Sequence, residues 1–190
     1  MTETHRHFNH PWLIVLLLMW PMAASLPAAA DNADKFAGTV LFMRHALAPG
    51  FGDPDNFSIK DCGTQRNLNE TGRAQARTIG VKLAAANIKI SAIYSSYWCR
   101  CLETAQLLNL GATIPFDGLN SFFQNHAPRE ATLAKLRQKL DTLSPSAPAS
   151  LMVTHFVTIR AITGISVESG GLVLYDLRTG TATELSLASL

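Results

Sequence analysis

A chain of 190 residues, 47% hydrophobic and 16% charged, has enough apolar residues to bury a sizeable core, which excludes a disordered protein and fits one domain plus a short appendage. The formal net charge is only +2 and no run of basic residues occurs, so neither nucleic acid nor an acidic membrane surface is indicated as a partner.

Residues 1–30 read apart from the fold. Trp12 to Trp20 form an apolar core, Pro21 interrupts it, and Ala28-Ala29-Ala30 supply small residues before Asp31, which is the pattern of a secretory signal peptide. The core is shorter than the about 20 residues of an ordinary spanning helix, so a cleaved leader is preferred to a retained anchor. His5, His7 and His10 leave with it and are not taken as metal ligands. The domain proper is then 31–190, expected to be periplasmic or secreted with no membrane contact in its mature form. In an oxidising compartment Cys62 is expected to pair with Cys99 or Cys101; three buried thiols are the alternative. Cys99 and Cys101 are too close in sequence to pair well with each other. No compact four-ligand zinc spacing is present.

Gly38 to Ala46 opens the domain as an apolar strand that stops at Arg44 and His45. The Pro-, Gly-, Asp- and Asn-rich segment 47–65 is a loop and is expected to hold substrate. Asn69 caps a helix that runs to Asn87, with Ala76, Ile79 and Leu83 on its inner face. Ile88 to Ser95 is a strand ending at Ser96, and a helix follows from Arg100 to Leu110. A short strand at Thr113 to Phe116 leads through a loop to an amphipathic helix, Arg129 to Leu143. Leu151 to Thr154 is another strand, ending on His155, and Val157 to Thr163 is a short helix. Two strands, Gly171 to Leu177 and Thr181 to Leu187, close the chain around the turn Arg178-Thr179-Gly180. Strands alternating with helices predict an α/β three-layer sandwich with a mostly parallel sheet.

Three strands thus end in polar residues: Arg44-His45, Ser95-Ser96 running on to Arg100, and His155. If these strands are parallel neighbours, their ends meet in one crevice holding two imidazoles and two guanidiniums. Arginine forks match the oxygens of a phosphoryl group, and a neutral histidine is able to attack phosphorus and form a phosphohistidine.

Phe42-Met43-Arg44-His45-Ala46 resembles the Arg-His-Gly signature of the histidine phosphatase (phosphoglycerate mutase-like) superfamily, with Ala46 where glycine is usual. Leu68 to Ala76 is similar to its Leu-Thr-x-x-Gly-x-x-Gln-Ala helix start, and Ser95-Ser96 through Arg100, Thr104 and Ala105 to its second arginine segment. Val153-Thr154-His155 resembles its second histidine motif. The resemblance implies that His45 is the phosphorylated nucleophile of a phosphomonoester hydrolase and that Arg44, Arg100 and His155 bind the phosphoryl group. Arg66, just before the second motif, is a candidate substrate clamp, and Ser96 a candidate substrate contact. No cofactor or metal is implied. The implied partner is a small phosphorylated substrate; among exported bacterial relatives a phosphorylated sugar of the cell envelope is one example.

The pattern departs from the family at the general acid. Neither the loop Gly118 to Asn125 nor the residues after His155 hold a carboxylate where relatives have one, and Asp117 and Glu130 read as surface charges. Missing acid catalysis costs about 10²- to 10⁴-fold for a poor leaving group. Three outcomes are open: a loop acid such as Asp53 or Asp55 takes the role, the leaving group is a good one, or activity is weak. A non-catalytic module binding a phosphorylated ligand in the same pocket is the alternative function.

Overall fold

The structure, a computed structural model, describes residues 1–2, 34–188 and 190, so the expected leader falls almost wholly outside the described residues. The strands and helices run in the order β1 (Thr39–Arg44), α1 (Glu70–Ala85), β2 (Ile90–Ser95), α2 (Cys99–Leu107), β3 (Thr113–Pro115), α3 (Arg129–Asp141), β4 (Ala149–Thr154), α4 (Phe156–Thr163), β5 (Leu172–Asp176) and β6 (Ala182–Leu185). The predicted elements are all present. The largest difference is at the end of α2, which stops at Leu107 rather than Leu110 because Asn109 turns into the left-handed region at φ 52°.

The six strands form one sheet in the order β3-β2-β4-β1-β5-β6. The first four are mutually parallel, and β5 and β6 are antiparallel. The expectation of a mostly parallel sheet holds, with four of the six strands parallel. The direction reverses at β5 because α4 is only eight residues long and the segment after it returns to the carboxyl end of β1, where Gly170 N–H donates to the carbonyls of Arg44 and His45. β5 therefore starts at that end and runs back against β1.

β1 is buried on both faces, as a near-continuous apolar strand in a covered sheet must be. Its alternation divides the core in two. Leu41 and Met43 pack with Ile79 and Leu83 of α1 and Ala105 of α2 on one side; Val40 and Phe42 pack with Leu136 and Leu140 of α3 and Ile159 of α4 on the other. Those two layers fix β1 at the centre, between β4 and β5.

The residues that carry the family resemblance have local tasks in this frame. Asn69 accepts the Gly72 N–H and caps α1, while Gly72 lies so close to the Leu47 carbonyl that a Cβ there would sit 2.0 Å from its oxygen. Gln75 accepts the Leu47 N–H and donates to the Ser169 carbonyl, and Thr104 accepts the Ala46 N–H while donating to the Arg100 carbonyl. Together they clamp the backbone just after His45. Gly72→Ala is expected to lower the free energy of unfolding by about 1–3 kcal/mol, the usual range for overpacking; urea denaturation is the measurement, and an unchanged midpoint would show that the Leu47 contact is slack.

Candidate active site

β2, β4 and β1 are parallel neighbours, so their carboxyl ends open on the same crevice. A cavity of about 210 Å³ lies there, lined by Arg44, His45, Arg66, Arg100 and His155 together with Asp53, Ser121 and the rings of Phe51, Phe123 and Phe156. Five of the six site residues expected from sequence therefore line one pocket. Ser96 lies behind it. Its hydroxyl is 3.0 Å from His155 Nε2 and donates to Asn120 Oδ1 at 3.2 Å, so it supports His155 rather than facing the cavity.

The His45 and His155 rings are edge to face with centroids 5.5 Å apart. His45 Nδ1 lies 2.8 Å from its neighbour's carbonyl, Ala46 O, which requires the proton on Nδ1 and leaves the lone pair on Nε2. Burial, with Arg100, Arg66 and Arg44 nearby, pushes the His45 pKa down to about 3. Burial and the same arginines, with His45, hold His155 well below the ordinary histidine range. Because the Ser96 hydroxyl proton is given to Asn120, His155 Nε2 is the donor to Ser96 Oγ, and its lone pair is on Nδ1. Both imidazoles are neutral at physiological pH.

Asp53 is the unexpected member. Its side chain is 3% exposed and faces Arg100 as a fork, with Nη1 to Oδ1 at 2.7 Å and Nη2 to Oδ2 at 3.1 Å. Trp98 Nε1 donates to Oδ2 and the Arg66 backbone N–H to Oδ1, each at 3.0 Å. Burial alone would raise this carboxyl, but the hydrogen bonds from Arg100, Arg66 and Trp98 outweigh it and hold Asp53 below the usual carboxylate range. An ionised carboxylate so engaged has no proton to give. Asp53 therefore fills one of the positions left open for a general acid without supplying its chemistry, and Asp55 is exposed and outside the pocket. Asp117 and Glu130 pair with Lys135 and Arg129 on the surface, as their sequence context suggests.

Counting donors shows what remains for a ligand. Arg100 has five N–H groups; Nη1 is taken by Asp53 and by the Arg66 carbonyl, and Nη2 gives one to Asp53. What is left is Nε–H and the second Nη2–H, which lie on the same edge of the guanidinium and form a second fork. Arg100 Nε and Arg44 Nε are both buried without a hydrogen-bond partner, although Arg44 Nη1 is anchored on the Val167 carbonyl at 3.0 Å. Arg66 is tied to the loop carbonyls of Gly52 and Ala48. Unpaired buried N–H groups on two arginines, beside a third cation and two neutral imidazoles, make a cradle for a tetrahedral oxyanion.

Cys62 and Cys99 form the disulfide, one of the two pairings expected. Cys101 stays free and buried, with burial pushing its thiol up to about 12, so it is not a nucleophile at physiological pH. Among the described residues no group of three or more His, Cys, Asp or Glu is arranged to hold a metal ion.

Comparison with known proteins agrees with this geometry. The family described as histidine phosphatase superfamily (branch 1) matches residues 40–123, a span that starts in β1 and includes His45, Arg66 and Arg100. Over those residues the chain is similar to that superfamily. The solved structure of the protein histidine phosphatase SixA complexed with tungstate is 15% identical, with 78% of this chain and 94% of that one covered at a TM-score of 0.53. SixA of Agrobacterium tumefaciens is 22% identical over 80% and 97% of the two chains, at 0.54. A phosphoserine phosphatase mutant from Entamoeba histolytica, in complex with phosphoserine, is 15% identical over 78% and 95%, at 0.52. At these identities the likeness is one of fold. No curated protein matches the sequence.

The rings of Phe51 and Phe156 were not singled out by motif. Asp53 was visible only as one acid of a polar loop, with nothing to separate it from Asp55. Its partner is 47 residues away, a distance no local pattern spans.

Two measurements test the electrostatics. Because the folded histidines resist protonation while an unfolded histidine titrates near about 6.5, the unfolded chain takes up protons first as pH falls. Stability is therefore expected to decline from pH about 6.5 toward about 4.5, above the range where carboxylates titrate, and calorimetric midpoints should fall less steeply in His45→Asn; equal slopes would contradict a buried neutral His45. Asp53→Ala leaves Arg100 buried without its counter-charge and should cost about 3–5 kcal/mol in urea unfolding, whereas an unaffected midpoint would remove the ion pair as a structural tie.

Proposed function

We infer that the protein is a phosphatase that hydrolyses a phosphomonoester in two steps through a phosphohistidine on His45. The observation that carries this reading is the neutral His45, its lone pair on Nε2, at the wall of a cavity where Arg44 and Arg100 each hold an unpaired Nε–H. In the first step Nε2 attacks phosphorus, the N–P bond forms, and the bond from phosphorus to the leaving oxygen breaks with its electron pair on that oxygen. Arg44, Arg100 and Arg66 balance the charge on the transferring oxygens throughout. In the second step water attacks phosphorus, inorganic phosphate leaves, and the imidazole is restored. His155, neutral beside His45, has a lone pair on Nδ1 able to take up a proton from the transferring group or from water.

The leaving oxygen receives its proton from solvent, because Asp53, the one carboxylate among the described residues that line the cavity, is ionised and held by Arg100. This favours substrates with a good leaving group. The same shortage of acid favours the second reading, a module that binds a phosphorylated ligand without turning it over. The Cys62–Cys99 bridge supports a working place in an oxidising compartment, in keeping with the leader pattern, and exported substrates such as envelope sugar phosphates enter on that ground.

Phosphate analysis of the rapidly quenched protein after mixing with an aryl phosphate is expected to find acid-labile, base-stable phosphate on the wild type and none on His45→Ala, whose turnover should fall by at least about 10³-fold, as when an acting nucleophile is removed. Tight phosphate binding with no phosphoenzyme and no turnover would select the binding module instead.

A further inference from the structure

Beyond the oxyanion cradle the pocket wall changes character. Phe51 is 86% exposed, the most exposed large apolar side chain inside the domain. Gly50 and Gly52 flank it with φ of 93° and 69°, left-handed values that hold the loop tip in a turn a side chain would resist. The Phe51 ring meets Phe123 edge to face at 5.1 Å, Phe123 meets Phe156 at 5.9 Å, and the Arg44 guanidinium lies 5.4 Å from the centre of Phe156. Three rings therefore run from a phosphoryl-binding arginine to the mouth of the same cavity, and all three line it.

The loops that carry them are tied together. The Asp53 backbone N–H donates to Gln124 Oε1 at 2.9 Å, joining the Phe51 loop to the Phe123 turn, and the Cys62–Cys99 bridge holds the first loop to α2. The rings are thus arranged before a ligand arrives.

Polar groups are scarce on this wall. Apart from the three arginines, two histidines and the saturated Asp53, the Ser121 hydroxyl is the only polar side chain among the described residues that line the cavity, and it already accepts the Phe123 N–H. A sugar phosphate, the carrier expected from export, brings several hydroxyls that this wall does not pair. A flat ring is matched by offset or edge-to-face contacts with Phe51 and Phe123. The missing general acid points the same way. A phenol-like oxygen ionises near pKa about 10, several units below an alkyl alcohol, so it departs without a proton being delivered.

We propose that the substrate of this site carries its phosphoryl group on an aromatic ring, packed against Phe51 and Phe123 and expelled as a resonance-stabilised anion. The proposal rests on the two-step phosphatase reading for its chemistry and on the aromatic wall for its recognition, and the two are separable by experiment. In the reaction the N–P bond to His45 forms as the bond between phosphorus and the ring oxygen breaks; the pair stays on that oxygen, which takes its proton from water.

Binding isolates the recognition. Calorimetric titration of the wild type with phenylphosphonate and with methylphosphonate, which share the phosphonate head and are not hydrolysed, is expected to give at least about tenfold tighter binding of the phenyl compound, the scale of a good ring–ring contact. Phe51→Ala should collapse that ratio toward one, Phe51→Trp should preserve it, and Phe123→Ala should reduce it. Equal affinities in the wild type, or a ratio untouched by Phe51→Ala, would overturn the proposal whether or not the protein turns anything over. In turnover, kcat/KM for phenyl phosphate and for a phosphotyrosine peptide should exceed that for glycerol phosphate and glucose 6-phosphate, with the excess lost in Phe51→Ala. The free ester and the peptide separate a small-molecule carrier from a protein side chain. A sugar phosphate preferred to both aryl substrates would refute ring recognition while leaving the phosphohistidine mechanism intact; no phosphoenzyme with any substrate would remove the mechanism while the phosphonate ratio still decides recognition.

Discussion

The carboxylate of Asp53 and the guanidinium of Arg100, both nearly excluded from water, constrain everything around them. A lone buried cation of this kind is costly, and so is a lone buried anion; together, with Trp98 and the Arg66 N–H completing the carboxylate's bonds, they are tolerable. The pairing has a geometric result as well as an energetic one. It occupies the end of the guanidinium and leaves the Nε edge free, so Arg100 enters the site already oriented, with a fork of two N–H groups available to an anion.

Around that pair the site sets strong positive potential against imidazoles that stay uncharged. Three arginines and deep burial act in the same direction on His45 and His155, each disfavouring an added proton. The contact from His45 Nδ1 to the Ala46 carbonyl then decides which nitrogen keeps the lone pair. A neutral imidazole with its lone pair on Nε2, three cations beside it and no protonated carboxyl in reach are all results of the same crowding.

The loop between β1 and α1 is long and has little regular structure, yet it supplies Phe51, Asp53 and Arg66. It is held by specific ties instead of a ladder. The Cys62–Cys99 bridge closes a separation of 37 residues, a cross-link of a size that contributes about 4 kcal/mol in the chain-entropy account. Gln65 accepts the Cys99 N–H, and Arg66 binds the carbonyls of Gly52 and Ala48. A loop fixed in this way is able to present an exposed aromatic ring in one place, which a mobile one is not.

The strands, the helices and their faces were legible in the chain because each depends on neighbours a few residues apart: the apolar run of β1, the Asn69 cap, the inward stripe of Ile79 and Leu83. The residues of the proposed oxyanion cradle were legible too, since Arg44, His45, Arg100 and His155 stand where strands end and helices begin. Tertiary structure alone decided the strand order, the reversal at β5, the choice of Cys99 over Cys101 and the role of Asp53. It also decided that Phe51, Phe123 and Phe156, spread over more than one hundred residues, share a wall. The physical reason is range: hydrogen-bonded periodicity is written locally, whereas the partner of a buried charge is chosen by which distant segment the folded core brings within about 3 Å of it.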